Sequence, residues 1–327
     1  IKLTGKGEKV SLTYGDVIHL LFSALEVNIL EPKSYSAGDT EYTNRSGETP
    51  LSAWYNVYVT EGIMYNVERG TASLIYESMD NEDVRIGENT YSVGKVNAAE
   101  FLGYAVKGYY YGNGTNAENE LVSVIPLYGR NDITIIEAED IVSFEKNILS
   151  VETGKNKKNY NISPSFDIIY NGEAVSAENR KKAFDIENGT VLINKVNYAG
   201  VDTVVIVNAY DNYVVGTIDK SSKTIYDKLN NNKKLELNEA VKTIKITEAD
   251  GKIIDFESIK DGDVLSVAES LGSKRINIVR SSKTIRGNLS ERGAVGTNNE
   301  YIKLDGVTYY VAKNYRDSKT NSINLNS

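Results

Sequence analysis

The sequence predicts a mainly β protein: tandem small antiparallel β-barrel or sandwich modules, with an inserted α+β domain and a short N-terminal helix. Three observations carry this. Short runs rich in Val, Ile, Thr and Tyr, such as Tyr213-Val-Val-Gly-Thr-Ile218 and Ile276-Asn-Ile-Val279, are separated by Gly, Asp and Asn turns, the pattern of half-buried strands. A tight hairpin pattern occurs twice, at Val84-Arg-Ile-Gly-Glu-Asn-Thr-Tyr-Ser-Val93 and at Tyr301-Ile-Lys-Leu-Asp-Gly-Val-Thr-Tyr-Tyr-Val311, each preceded by a glycine-led strand (Gly62, Gly287). Recurrence of one unit along a chain marks a repeated module. The 23 Tyr against 6 Phe and 1 Trp suit strands that are dry on one face and wet on the other.

Residues 1–52 are read as one helix and a polar linker. Thr13 is placed to N-cap a helix over 17–25, with Asp16 three residues on to close a capping box. Val17, Leu21 and Ala24 share one face with Ile18 and Leu25 beside them, so the apolar stripe is wide. His19, the sole histidine, has no catalytic partners nearby in sequence and reads as a surface or packed residue. Pro32, Gly38, Gly47 and Pro50 mark 31–52 as linker.

Residues 53–142 form the first β module. Strands are expected at 54–59 and 62–64, then the first hairpin, then Leu102-Gly-Tyr-Ala-Val and on to Tyr111, followed by strands at 121–127 and 133–136. Residues 143–212 are the α+β piece, with a turn at Asn171-Gly172, one or two helical turns over 176–184, and a near-continuous apolar run at 201–207 expected to be a central strand. Residues 213–286 form the second module, where Gly262-Asp-Val-Leu-Ser-Val267 followed by Ile276 to Val279 matches the order of 102–111 followed by the strands at 121–127 and 133–136. Residues 287–327 begin a third module that stops short and ends in a polar tail. Asp305-Gly306 is a strong type I′ turn signal there.

These phrases resemble the extracellular β-rich region of S-layer-homology-domain surface proteins of Gram-positive, clostridial-type bacteria. The segment from Leu12 to Leu25 resembles the closing helix of the third wall-anchoring motif, with Tyr14 and Asp16 at the positions of that motif's arginine and glutamate. Phrases at 102–104, 168–172, 213–216 and 259–267 resemble the β region that follows. The resemblance implies an extracellular, cell-surface structural or scaffold protein that self-associates or contacts other surface proteins, with cell-wall polysaccharide as a further partner. Carbohydrate binding and a phage or appendage component are the alternatives. The resemblance also implies a calcium-type loop between 193 and 204. Here its candidate ligands are only Asn194, Asn197 and Asp202, too few carboxylates for a strong site, and an ordinary hairpin loop is expected.

Other chemistry finds little footing. No cofactor motif is present, and the glycines around Gly112 lack the Lys-Ser/Thr of a phosphate loop. The acid pairs Glu137 with Glu139 and Asp261 with Asp263 lie in turns, there is no Gly-x-Ser-x-Gly elbow, and no enzyme is expected. A net charge of −8 argues against nucleic acid. The absence of Cys rules out disulfides and thiolate metal sites, and no apolar run is long enough to span a membrane. What remains is surface. On a strand, Tyr109 and Tyr111 share one face, so they are the candidate contact pair for a protein partner or a stacked sugar.

Overall fold

The computed structural model describes residues 13–36, 39–45, 47–66, 83–112, 119–230, 232–237, 243–272, 275–297 and 299–316. The polar tail after 316 and the first residue of the phrase at Leu12 lie outside them. The chain divides into a first compact unit ending at Tyr128 and a second beginning at Gly129. The architecture is β-rich in both, as the alternating runs predict.

In the first unit, α1 (Tyr14–Leu25) starts with the expected capping box. Thr13 Oγ1 accepts the Asp16 amide, and the Asp16 carboxylate accepts the Thr13 amide at 2.8 Å. The stretch read as linker holds structure. β1 (Leu30–Ser36) and β2 (Asp39–Asn44) pair as an antiparallel hairpin, because Thr and Tyr within the polar run are strand formers. α2 (Pro50–Tyr55) follows, with Thr49 and Ser52 forming a second capping box and Pro50 in the first turn, where it needs no amide hydrogen. Trp54 and Tyr55 are therefore helical, not the start of a strand as their β propensity suggested. Asn56 ends the helix in the left-handed region at φ 55°.

β3 (Val57–Asn66), β4 (Asp83–Ile86), β5 (Asn89–Ser92), β6 (Ala105–Tyr111) and β7 (Glu120–Pro126) close into a barrel in the order β3-β4-β5-β7-β6. The β5–β7 contact is parallel and the others antiparallel. This is the five-stranded Greek-key barrel of the OB type. Met64, Ile86, Tyr91, Val106 and Leu121 fill it. Gly62 is obligatory for closure, since a Cβ there would lie 2.3 Å from the Gly87 backbone nitrogen, in the turn of the β4–β5 hairpin.

The second unit opens with β8 (Asp132–Glu137), β9 (Ile141–Glu145), β10 (Ile148–Thr153), β11 (Asn156–Asn161), β12 (Asp167–Tyr170), β13 (Glu173–Ala174), β14 (Gly189–Tyr198) and β15 (Val201–Ala209). A five-stranded sheet, β13-β12-β15-β14-β8, faces the meander β11-β10-β9. The apolar run at 201–207 is central, paired parallel to β12 and antiparallel to β14. β8, grouped by sequence with the barrel before it, pairs instead with β14; alternation shows that a segment is a strand, not which sheet it joins. The helical part of this piece is two 3-10 turns, Ala177–Asn179 and Lys182–Phe184.

β16 (Asp211–Asp219) follows β15 after the single residue Tyr210. With β17 (Thr224–Asp227), β18 (Lys234–Glu236), β19 (Thr243–Glu248), β20 (Val264–Glu269) and β21 (Arg275–Ser281) it forms a sheet of order β18-β17-β16-β20-β21-β19. This is the barrel's order with the third strand in two pieces: β18 lies on β17, and β19 lies parallel to β21. The match extends to single bonds. In the first unit, Met64 N–H donates to Tyr104 and Gly103 N–H to Met64; here Val215 N–H donates to Asp263 and Gly262 N–H to Val215. Gly103 and Gly262 both sit at positive φ, 81° and 85°. The strands that begin at 102–111 and 262–267, matched by order in the sequence, thus occupy one place in the fold.

The chain then forms β22 (Leu289–Gly293), β23 (Tyr301–Leu304) and β24 (Val307–Tyr310), an antiparallel meander, and ends its described part with α3 (Lys313–Arg316). Asp305 and Gly306 are both left-handed, at φ 46° and 83°, the type I′ geometry expected of the pair. The buried Glu300 accepts from the Arg292 guanidinium and from the Gly296 amide at 2.8 Å. Those bonds hold its carboxyl below the usual carboxylate range.

Candidate interaction surface

The tyrosine run of β6 is where the sequence placed a contact, and the structure divides it. Tyr110 turns inward, within 4.8 Å of the buried Tyr91 ring and stacked at 5.7 Å on the half-exposed Tyr58. Tyr109 and Tyr111 face outward as period-two geometry requires, but Tyr109 is only 6% exposed while Tyr111 is 43% exposed. α1 covers Tyr109. Phe22 meets its ring edge-on at 5.6 Å, and its hydroxyl donates to Glu26 at the end of the helix. The two-ring platform is thus corrected to a single presented ring, Tyr111. The reason is long-range: Glu26 lies 83 residues away in sequence.

Lys107, the one charge of that run, is neutralised in place. Its ammonium donates to Glu26 at 3.0 Å and lies 3.5 Å from Glu61. Burial pulls the Lys107 pKa down, but Glu26 and Glu61 outweigh it and leave it raised. Burial, then Glu26, also raises the Tyr109 phenol. Both groups hold their protons more tightly folded than unfolded. Their contribution is therefore complete below the ordinary values of 10.0 and 10.5 and is lost as pH rises through the raised ones. We expect α1 to stay docked up to about pH 10 and to loosen above it, and Tyr109→Phe to weaken docking by about 1 kcal/mol. Trp54, the sole tryptophan, sits on α2, which α1 touches, so its emission against pH reads this directly. An emission that is flat to strong alkali would contradict the assignment.

With Phe22 and Glu26 as its anchor, α1 has no buried residue. Tyr14 (92%), Ile18 (66%) and Leu21 (65%) remain exposed, as do Trp54 (70%) and Tyr55 on the neighbouring α2. The helix's one charged side chain, Asp16, is engaged in the cap. Two touching helices thus each present exposed apolar side chains. Exposed apolar surface of this kind marks interaction sites, and Trp and Tyr are the side chains that anchor them. Of this surface, Ile18 and Leu21 belong to the apolar stripe legible in the sequence. Trp54 is hidden there by its β propensity, and the role of Glu26 depends on a partner strand far along the chain. His19 is exposed on the same helix.

The calcium candidates are engaged otherwise. Asn194 is buried, and its amide donates to Asn131 at 3.0 Å. The Asn197 carbonyl accepts from Arg130, and Asp202 accepts from Ser163. The loop itself is a two-residue turn, Ala199-Gly200, at φ 50° and 85°. Among the described residues, no group of three or more acidic or histidine side chains could hold a metal ion. No helix among them is long and apolar enough to cross a membrane.

No family model matches the chain, and no curated protein does. A crystal structure of a multidomain protein with nucleic acid binding domains from Streptococcus pneumoniae is similar over 70% of this chain and 74% of that one, at 12% identity and a TM-score of 0.16. At that level the likeness says nothing of this chain's fold or chemistry.

Proposed function

We propose that this chain is a structural scaffold component that assembles with other polypeptides, as in an extracellular bacterial surface layer. The observation that carries the reading is the exposed apolar side chains of the touching helices α1 and α2, with Ile18, Leu21 and Trp54 each about two-thirds exposed. Serial β modules supply a frame that needs no disulfide, consistent with a chain that has no Cys. Barrels of this order also serve as hosts for oligonucleotides and oligosaccharides, but a fold does not name its ligand, and a net charge of −8 disfavours a polyanion.

The test is assembly state, by sedimentation and electron microscopy, for the chain and for Ile18→Ser, Leu21→Ser and Trp54→Ser. These side chains are exposed, so circular dichroism stays unchanged. Removing a central aromatic anchor weakens association by about 2 kcal/mol, roughly thirtyfold. A chain that remains monomeric at high concentration with candidate surface proteins present, or variants that assemble like the parent, would refute the reading.

A further inference from the structure

Asn is a thermolabile residue, and most so before Gly, where the next backbone nitrogen attacks its side-chain carbon with no Cβ to hinder it. Two such pairs lie among the described residues, Asn171-Gly172 in the turn after β12 and Asn188-Gly189 at the start of β14. Asn171 is only 9% exposed, and both hydrogens of its amide are used. Nδ2 donates to the carbonyls of Ala209 and Glu269, each at 2.8 Å, and Oδ1 accepts the Ala209 amide at 2.9 Å. One side chain therefore closes a seam between the turn, the end of β15 and the end of β20.

Attack on that amide requires the seam to open. It makes Cγ tetrahedral and expels Nδ2, so both Nδ2 bonds must break. The backbone is held as well: Asn171 and Gly172 sit at φ 47° and 85°, with Tyr170 paired to Glu173 across the two-residue turn. The products do not fit back. A carboxylate at residue 171 has no hydrogen to donate, so its oxygens would face the Ala209 and Glu269 carbonyls at bonding distance. The site is already acidic: burial, then Glu269 and Asp185, raise the phenol of the adjacent Tyr170. An isoaspartate would also add a carbon to the main chain of this tight turn.

We propose that Asn171-Gly172 is a deamidation site gated by the fold. While closed, the seam protects the amide; once it has opened, the reaction keeps it from closing again. In the step, the Gly172 nitrogen bonds to Cγ and gives up its proton, the Cγ–Nδ2 bond breaks, and Nδ2 leaves as ammonia with that proton. Water then opens the cyclic imide. Attack at Cγ yields aspartate, and attack at the backbone carbonyl yields isoaspartate, whose main chain runs through Cγ. The junction thus converts a transient opening into a permanent one, a loss of kinetic rather than equilibrium stability.

The test holds the full chain in mildly alkaline buffer, with and without guanidinium chloride, and follows both Asn-Gly sites by peptide mass. We expect residue 171 to deamidate at least about tenfold more slowly in buffer than in guanidinium, and to keep pace there with residue 188. Equal rates at residue 171 with and without guanidinium overturn the proposal, as does a residue 171 that stays intact in guanidinium. The consequence is read on Asn171→Asp, which supplies the aspartate product directly. Amides at the ends of β15 and β20 should exchange at least about tenfold faster in it than in the parent. Parent chain deamidated at residue 171 in guanidinium and returned to buffer should match the variant. Parent-like exchange in that refolded chain overturns the one-way closure, whether or not the variant itself folds.

Discussion

Asn171→Ala is expected to destabilise the second unit by about 3–5 kcal/mol, because it removes three hydrogen bonds to the backbone at once. Asn171 Nδ2 donates to the carbonyls of Ala209 and Glu269, each at 2.8 Å, and Oδ1 accepts the Ala209 amide at 2.9 Å. One side chain thus joins the turn after β12 to the end of β15 and the end of β20. Only Tyr210 separates β15 from β16, and Leu271, from the β20–β21 loop, packs on the sandwich core. The junction is therefore a bonded seam. Asn171 also sits at φ 47°, which Ala tolerates at a cost of about 1 kcal/mol. Asn171→Gly removes that strain and keeps the bond loss, so it should recover about 1 kcal/mol and no more. Exchange of the β15 amides measures both. A parent-like exchange pattern in the Ala variant would show that water replaces the side chain.

Gly62→Ala should destabilise the first unit by about 3 kcal/mol or more, as overpacking against backbone does. The new methyl would meet Gly87 N at 2.3 Å and Gly87 Cα at 2.8 Å, and neither can move unless the β4–β5 hairpin lifts off β3. Gly287→Ala in the β22–β24 sheet is the informative contrast. Its nearest atom is Asp305 Oδ2 at 2.5 Å, the end of a side chain that can swing away. The cost there is the Asp305 bond to the Asn288 amide, about 1 kcal/mol. Urea unfolding followed by Trp54 emission reads the first substitution, and exchange of the β23 and β24 amides reads the second. Equal effects at the two glycines would mean that backbone crowding does not set the requirement.

These glycines show how far the sequence reaches. Their recurrence ahead of each hairpin was legible, and so was the left-handed pair Asp305-Gly306, because a turn is a local object whose steric needs its own residues satisfy. The same holds for the Thr13 capping box, for the central strand at 201–207 and for the matching strand order that begins at 102–111 and at 262–267. By itself the sequence determined a β-rich chain with repeated strand order and few local ambiguities. The tertiary structure decided the rest. It moved β8 out of the barrel and into the sandwich, since two sheets can use the same alternating pattern. It buried Tyr109 beneath α1 while leaving Tyr111 in solvent, though both lie on one strand face, because Glu26 and Phe22 arrive from far along the chain. It made Asn171 a seam as well as a turn. Local sterics and alternation are written residue by residue, but which surface covers which depends on contacts between distant segments, and only the folded chain brings those together.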